Sequence, residues 1–156
     1  MEHEHHYVAQ LTWTGAKDGG TTNYRSYSRH YQVNAEGKPV LDLSADPAFR
    51  GDPQFYNPED LLMAALSGCH MLTYLALASL KGLMVTGYED RATGTMRQER
   101  SGGHFTDVTL HPIVTIAAGQ DAHLAKELHE QASQDCFIAA SMNFPVHHVV
   151  EIRVAR

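Results

Sequence analysis

The sequence predicts an α+β fold: mainly antiparallel sheet, a long buried central helix and a second, amphipathic helix. Three observations predict it. Stretches of period-two patterning alternate with Gly- and Pro-bearing turns. Asn57–Gly82 is helical in its signals and apolar on every side. Leu124, Leu128, Ala132 and Cys136 recur in steps of four. The order is three strands, a helix, two strands, a helix and a last strand, which is the pattern of an α+β layer architecture.

At 156 residues, 43% hydrophobic and 19% charged, the chain has the length and composition of one globular domain spanning 1–156. A formal net charge of −6 argues against a nucleic-acid partner and for small-molecule business. No apolar run follows a basic N-terminal segment, so the expected compartment is the cytoplasm. Two cysteines in a reducing compartment are catalytic, redox-sensing or merely buried rather than a permanent staple.

Residues 1–6 (MEHEHH) are charged and are expected to be mobile. Tyr7–Thr14 alternates Tyr7, Ala9, Leu11 and Trp13 on one face and reads as a strand; Gly15–Thr22 is a loop. Tyr24–Val33 reads as a second strand. Its parity places Arg25 and Arg29 on the same face as Tyr27, Tyr31 and Val33, where a buried guanidinium needs a partner. Asn34–Pro39 is a hairpin turn, and Val40–Ser44 the returning strand. The loop Ala45–Tyr56 carries Arg50, a second candidate cation, into the start of the long helix.

That helix has Asn57 as its cap, Pro58 in the first position, and Glu59 and Asp60 where the macrodipole favours negative charge. Lys81 and Gly82 close it. It is long enough to cross a bilayer, but Ser67, His70, Thr73 and Ser79 interrupt it, which favours a protein core. Gly68, costly inside a helix, suggests that another backbone or a substrate comes close to it. A helix apolar all round needs more cover than one small sheet and one amphipathic helix supply, which points to burial against a second copy.

Beyond it, Tyr88–Glu99 and His104–Ile116 read as a long hairpin turning at Ser101-Gly102-Gly103, with Gly94 and Pro112 marking bulges or an edge. Asp121 caps the amphipathic helix, whose inner ridge ends at Cys136. Phe137–Met142 is a short continuation, and Val146–Val154 a final strand.

The run Asn57-Pro58-Glu59-Asp60-Leu61-Leu62, the run Ala64 to Met71 around Gly68-Cys69-His70, and a second cysteine in Gln134-Asp135-Cys136-Phe137-Ile138-Ala139 resemble the OsmC/Ohr family of thiol-dependent peroxidases. Ser44–Asp52 resembles the family's loop before the helix. The resemblance spans nearly the whole chain and implies an OsmC-like fold in an intertwined homodimer, with the long helices at the subunit interface. It implies a peroxidatic Cys69, a resolving Cys136, and an Arg–Glu pair activating the first, with Glu59 as the glutamate and, as the arginine, Arg29, which strand parity aims inward, ahead of Arg50. It implies an organic hydroperoxide as substrate, a dithiol or small-thiol reductant, and no cofactor or metal.

The chemistry has its own logic. A free thiol ionises near pH 8.5, and burial in an oily helix raises that value, so a nucleophilic Cys69 needs a donor or a cation beside it. A carboxylate such as Glu59 can orient a guanidinium. Glu59 and Cys69 stand ten positions apart on one helix, about 15 Å along the axis and about 80° round it. Cooperation therefore needs a bridging arginine, a bend at Gly68, or the glutamate of a second copy. Met63, Met71, Phe137 and Met142 favour an organic peroxide, or are simply core. An OsmC-like redox sensor or binder of a small apolar ligand, without turnover, is the alternative. A metal site at Cys69–His70 ranks below both, since adjacent helical residues diverge by about 100°.

Overall fold

The computed structural model describes residues 2–16 and 19–156. Met1 of the N-terminal segment, and Lys17 and Asp18 of the Gly15–Thr22 loop, lie outside the described residues. The chain forms two compact units, Met1–Leu61 and Leu62–Arg156.

The first unit is an antiparallel sheet of β1 (Gln10–Trp13), β2 (Tyr31–Asn34) and β3 (Leu41–Leu43), with β2 in the centre. Trp13 lies opposite Tyr31, which lies opposite Leu43, and Leu11, Val33 and Leu41 align one step away on the same face. The sequence extends the second strand back to Tyr24, and the structure does not. Tyr24–His30 is turn and bend, because short polar side chains bond the local backbone: Asn23 Oδ1 accepts from Arg25 N at 2.9 Å, and Ser26 Oγ donates to Asn23 O at 2.9 Å. Such bonds compete with a strand ladder. The parity that aimed Arg25 and Arg29 inward is therefore void.

Between β3 and the long helix the backbone is tightly folded. Ala45 O would stand 1.6 Å from a Cβ at position 51, so only glycine fits. Arg50, just before it, takes the left-handed conformation at φ 65°, which costs a non-glycine residue about 1–2 kcal/mol. Asn57 then caps the helix reciprocally: its Oδ1 accepts from Asp60 N at 2.9 Å, and its own N–H donates to Asp60 Oδ2 at 3.1 Å. Asp60 is thus the far half of a capping box.

Helix α1 (Pro58–Leu80) begins at the end of the first unit and runs through the second. It closes with Gly82 at φ 71° and with Leu83 N bonded to Ala78 O at 2.9 Å, the left-handed stop its glycine predicts. Within a single chain the helix is buried along one ridge. Only Leu66, His70, Tyr74 and Ala78, one i,i+4 ridge, are buried, while Leu72 and Leu80 are 65% and 82% exposed. One chain has too few elements to cover the other faces. Among the described residues of this chain, the helix's own neighbouring backbone aside, nothing lies within 4 Å of where a Gly68 Cβ would be.

The expected long hairpin is two strand pairs. Strands β4 (Val85–Asp90), β5 (Thr93–Gln98), β6 (Gly103–Leu110) and β7 (Pro112–Ile116) pair β4 with β7 and β5 with β6, all antiparallel. The chain breaks at Arg91–Ala92 and again at His111, so the hairpin passes from one sheet to another. Asp90 fixes the corner by accepting from His111 N at 2.6 Å. Gly94 makes room for Met63 Sδ, which would stand 2.9 Å from a Cβ there. The final strand also divides, into β8 (Val146–His148) parallel to β6 and β9 (Glu151–Val154) parallel to β7.

Helix α2 (Ala122–Asp135) is capped by Asp121, which accepts from His123 N and Leu124 N at 2.8 and 3.1 Å. It buries Ala125, Leu128, His129 and Ala132, so the inner face takes in the Leu128 and Ala132 of the expected ridge and widens to Ala125 and His129. Cys136 ends it and opens the short α3 (Phe137–Ala140). Two apolar clusters result. One joins Tyr74, Ala78 and Leu83 with Val114, Ile116, Ala125, Leu128 and Ala132. The other joins Leu66, Val108 and Leu110 with residues that include Met63, Phe105, Ile138 and Met142.

Candidate functional site

Cys69 and Cys136 lie beside each other within the second unit, each acting on the other's ionisation. Cys69 comes from the middle of α1, half-buried; Cys136 sits 2% exposed at the junction of α2 and α3. Both are free thiols. The α2–α3 junction makes the contact possible. Cys136 leaves α2 in an extended conformation, φ −73° and ψ 108°, so the chain turns and presents the first N–H groups of α3 to the sulfur on α1.

The two thiols are driven apart in acidity. Burial pushes Cys69 up, but the backbone N–H of Ile138, the Cys136 thiol, the N–H of Phe137 and the Thr73 hydroxyl all favour its thiolate, and the balance lies below the ordinary value. Burial pushes Cys136 up to about 11, and the Cys69 thiolate beside it adds to the rise against the N–H groups of Ala139 and Ile138. One sulfur is thus disposed to be the anion and the other to keep its proton.

Thr73 and the backbone of Phe137 and Ile138 are absent from the residues the sequence singled out. The available signal was spacing: Thr73 lies one turn past Cys69, and its hydroxyl donates to Cys69 O at 2.9 Å. From there it can turn to the sulfur. Replacing it with valine is expected to slow alkylation of Cys69 at neutral pH by about tenfold, the worth of one hydrogen bond to a charged group, and to move the pH profile of alkylation upward. Thr73→Ser should restore both.

The other expected site residues belong to the first unit. Glu59 is half-buried, and its Oε2 is buried without a hydrogen-bond partner among the described residues. Its carboxylate adds to burial in raising Tyr31. Arg29 donates Nη1 to Tyr27 O at 2.6 Å and Nη2 to Tyr24 O, with its guanidinium 3.8 and 4.7 Å from the centroids of the Tyr27 and Tyr24 rings. Arg50 is exposed. Among the described residues neither arginine pairs with a carboxylate.

Met63 and Met142 pack into the second cluster as core. Phe137, 81% exposed, is the large apolar side chain next to Cys136.

A second polar group lies in the same unit. His70, one residue after Cys69, shares a hydrogen bond with His129 of α2, Nε2 to Nδ1 at 2.9 Å. His148 of β8 packs 4.4 Å from the His70 ring, and Tyr74 stacks on His129 at 3.9 Å. Burial, then the neighbouring His148, hold His70 down to about 4 against the pull of Asp90. Burial, then His70 and His148, hold His129 down to about 3. Burial also lowers His148 and raises Tyr74 to about 12. The sequence named His70 as a polar interruption of the helix and a low-ranked metal ligand, but gave no sign of His129, which stands in the apolar stripe of α2. Among the described residues no group of three or more His, Cys, Asp or Glu is arranged to hold a metal ion.

Comparison with known proteins places these features in a family context. The family model described as OsmC-like protein matches residues 51–151. An OsmC-like protein of unknown function from Vibrio cholerae superposes with a TM-score of 0.86 at 27% identity, covering 94% of this chain and 99% of that one. An organic hydroperoxide resistance protein from Elizabethkingia anophelis superposes with a TM-score of 0.69 at 18% identity, over 98% and 100% of the two chains. The uncharacterized protein YmaD of Bacillus subtilis is 21% identical over 155 residues, 97% of this chain and 95% of that protein.

Proposed function

This chain belongs to the OsmC-like protein family, and from that premise we propose that it is a thiol-dependent peroxidase reducing organic hydroperoxides. The contact between the Cys69 and Cys136 thiols, with opposite acidities, is the observation that carries the proposal. The Cys69 thiolate attacks the outer peroxide oxygen; the O–O bond breaks, and the alkoxide leaves as alcohol after taking a proton. The sulfenic acid on Cys69 then condenses with the Cys136 thiol, giving a disulfide and water. Two thiols of a dithiol or small-thiol donor return the pair to its reduced form by exchange. The exposed Phe137 offers the organic part of the substrate an apolar surface.

Treating the reduced protein with one equivalent of cumene hydroperoxide tests this. A Cys69–Cys136 disulfide in the peptide mass map is the expected product. Independent sulfinic or sulfonic acids on the two cysteines, with no disulfide, would sink it and favour a sensor or apolar-ligand binder.

Glu59 and an arginine complete the proposed activating set. Arg50 stands first: a non-glycine residue in a strained conformation is a pointer to function, while the Arg29 guanidinium is already engaged by two carbonyls and two rings. Arg50→Ala is expected to lower kcat/KM for cumene hydroperoxide by about 10²-fold, as loss of a preorganised charge does, and Arg29→Ala by less.

The same proposal includes a soluble, cytoplasmic homodimer in which a second copy covers the outer face of α1. Helix α1 meets the length and composition of a membrane span, but its exposed residues, Leu72 and Leu80 among them, are what an interface between copies would bury. Leu72→Glu is expected to weaken association by at least about tenfold, read as a shift toward monomer in sedimentation velocity.

A further inference from the structure

The histidines of the second unit are not needed for peroxide chemistry, yet they join the two helices that carry the thiols. His70 follows Cys69 on α1, and His129 lies two turns before Cys136 on α2. Their 2.9 Å hydrogen bond is one of two side-chain bonds between these helices among the described residues, the other running from Tyr74 Oη to Ala125 O.

A neutral pair holds this bond because one ring nitrogen donates and the other accepts. Whichever tautomer is present, the outer atoms, His70 Nδ1 and His129 Nε2, are buried without partners. The first added proton can settle on the unbonded acceptor and leave the bond standing. A second cannot: with both rings protonated, two N–H donors face each other at the same separation, and the bond becomes a repulsion.

The surroundings offer no relief. From α1 the pair is faced by Tyr74; from β4 by Tyr88 and Asp90; from β8 by His148, with His147 beside it; and from α2 by Glu130. Asp90, the half-buried carboxylate of this set, already accepts from Ser67 Oγ and His111 N. No carboxylate is hydrogen-bonded to His70, His129 or His148 among the described residues.

We propose that the His70–His129 bond is an acid-opened clasp: protonation of both rings parts α2 from α1 and carries Cys136 away from Cys69. The clasp acts on the distance between the thiols, separately from their own ionisation, and does not depend on peroxide being the substrate. Its opening falls at strongly acid pH, since burial holds the two rings at about 4 and about 3.

A disulfide reagent that still reacts in acid, 2,2′-dithiodipyridine, reads the distance directly. When the thiols are adjacent, the first mixed disulfide is attacked by the second thiol. One reagent molecule is then consumed, two pyridinethiones leave, and a protein disulfide remains. When they are apart, each cysteine keeps its own pyridylthio group, and the intact mass rises by two such groups.

The wild-type protein is expected to give the internal disulfide at pH 7 and predominantly the doubly modified form at pH 2, below the values of both rings. The variant His70→Gln/His129→Asn places uncharged amide groups near the bonded ring nitrogens, and is expected to give the internal disulfide at both pH values. An internal disulfide in wild type at pH 2, or a variant that opens as wild type does, overturns the clasp. Double modification already at pH 7 overturns it together with the thiol pairing, whereas failure of peroxide turnover alone leaves it standing. Imidazole ¹⁵N resonances of the wild type supply a check free of any variant. The opening midpoint should track the second protonation of the pair, and opening while both rings are neutral would sink the proposal.

Discussion

Replacing Cys69 with serine is expected to lower kcat/KM for an organic hydroperoxide at least about a thousandfold, because a neutral hydroxyl cannot take the place of the ionised sulfur as nucleophile. Replacing Cys136 with serine should give a different defect. Its thiol enters only after the O–O bond is broken, so the first equivalent of peroxide is still reduced at a rate near wild type. Turnover then stalls with Cys69 as a sulfenic acid, and excess peroxide drives it on to the sulfinic form. Stopped-flow measurement of the first turnover, followed by intact mass, separates the two variants. Equal loss of the first turnover in both would remove the distinction between attacking and resolving sulfur. A sensor or a ligand binder would show neither the burst nor its dependence on Cys69.

The helices that carry the two cysteines were legible because they rest on strong local signals. Asn57, Pro58 and Gly82 mark the ends of α1 through capping and left-handed geometry, and the steps from Leu124 to Cys136 mark α2. What escaped notice depends on contacts made far along the chain. Nothing next to Arg91 says that the hairpin changes sheet there, since the bond that fixes the corner joins Asp90 to His111, 21 residues on. Tyr24–His30 has strand-like alternation, but the bonds made by Asn23 and Ser26 take its backbone out of the ladder. Two of the four donors around the Cys69 sulfur are backbone N–H groups, and side-chain type carries no record of those. The pairing of His70 with His129 was invisible for a related reason: each looks polar in the sequence but folds as a neutral core residue, stabilised by the other and by Tyr74.

That burial predicts a large loss of stability in acid, and its direction follows from linkage. Stability changes with pH in proportion to the protons bound by the unfolded chain minus those bound by the folded one. Exposed in the unfolded chain, a histidine takes up its proton near pH 6.5; folded, His70 does so at about 4 and His129 at about 3. Both groups are bases with folded values lowered, so between these limits the unfolded state holds more protons and falling pH favours it. Their effect is absent well above 6.5, grows as the pH drops through 5, and levels off only below about 3. Each tenfold difference in proton affinity is worth ~1.4 kcal/mol, so the pair is expected to remove a few kcal/mol, a large share of a net stability of about 5–15 kcal/mol. Urea unfolding midpoints measured from pH 7.5 to 3.5 check the slope. The variant His70→Gln/His129→Asn should have a shallower profile, with the difference from wild type opening below pH 6.5. Parallel profiles for the two proteins would mean that the histidines titrate alike in both states, and that protonation of carboxylates drives the acid transition instead.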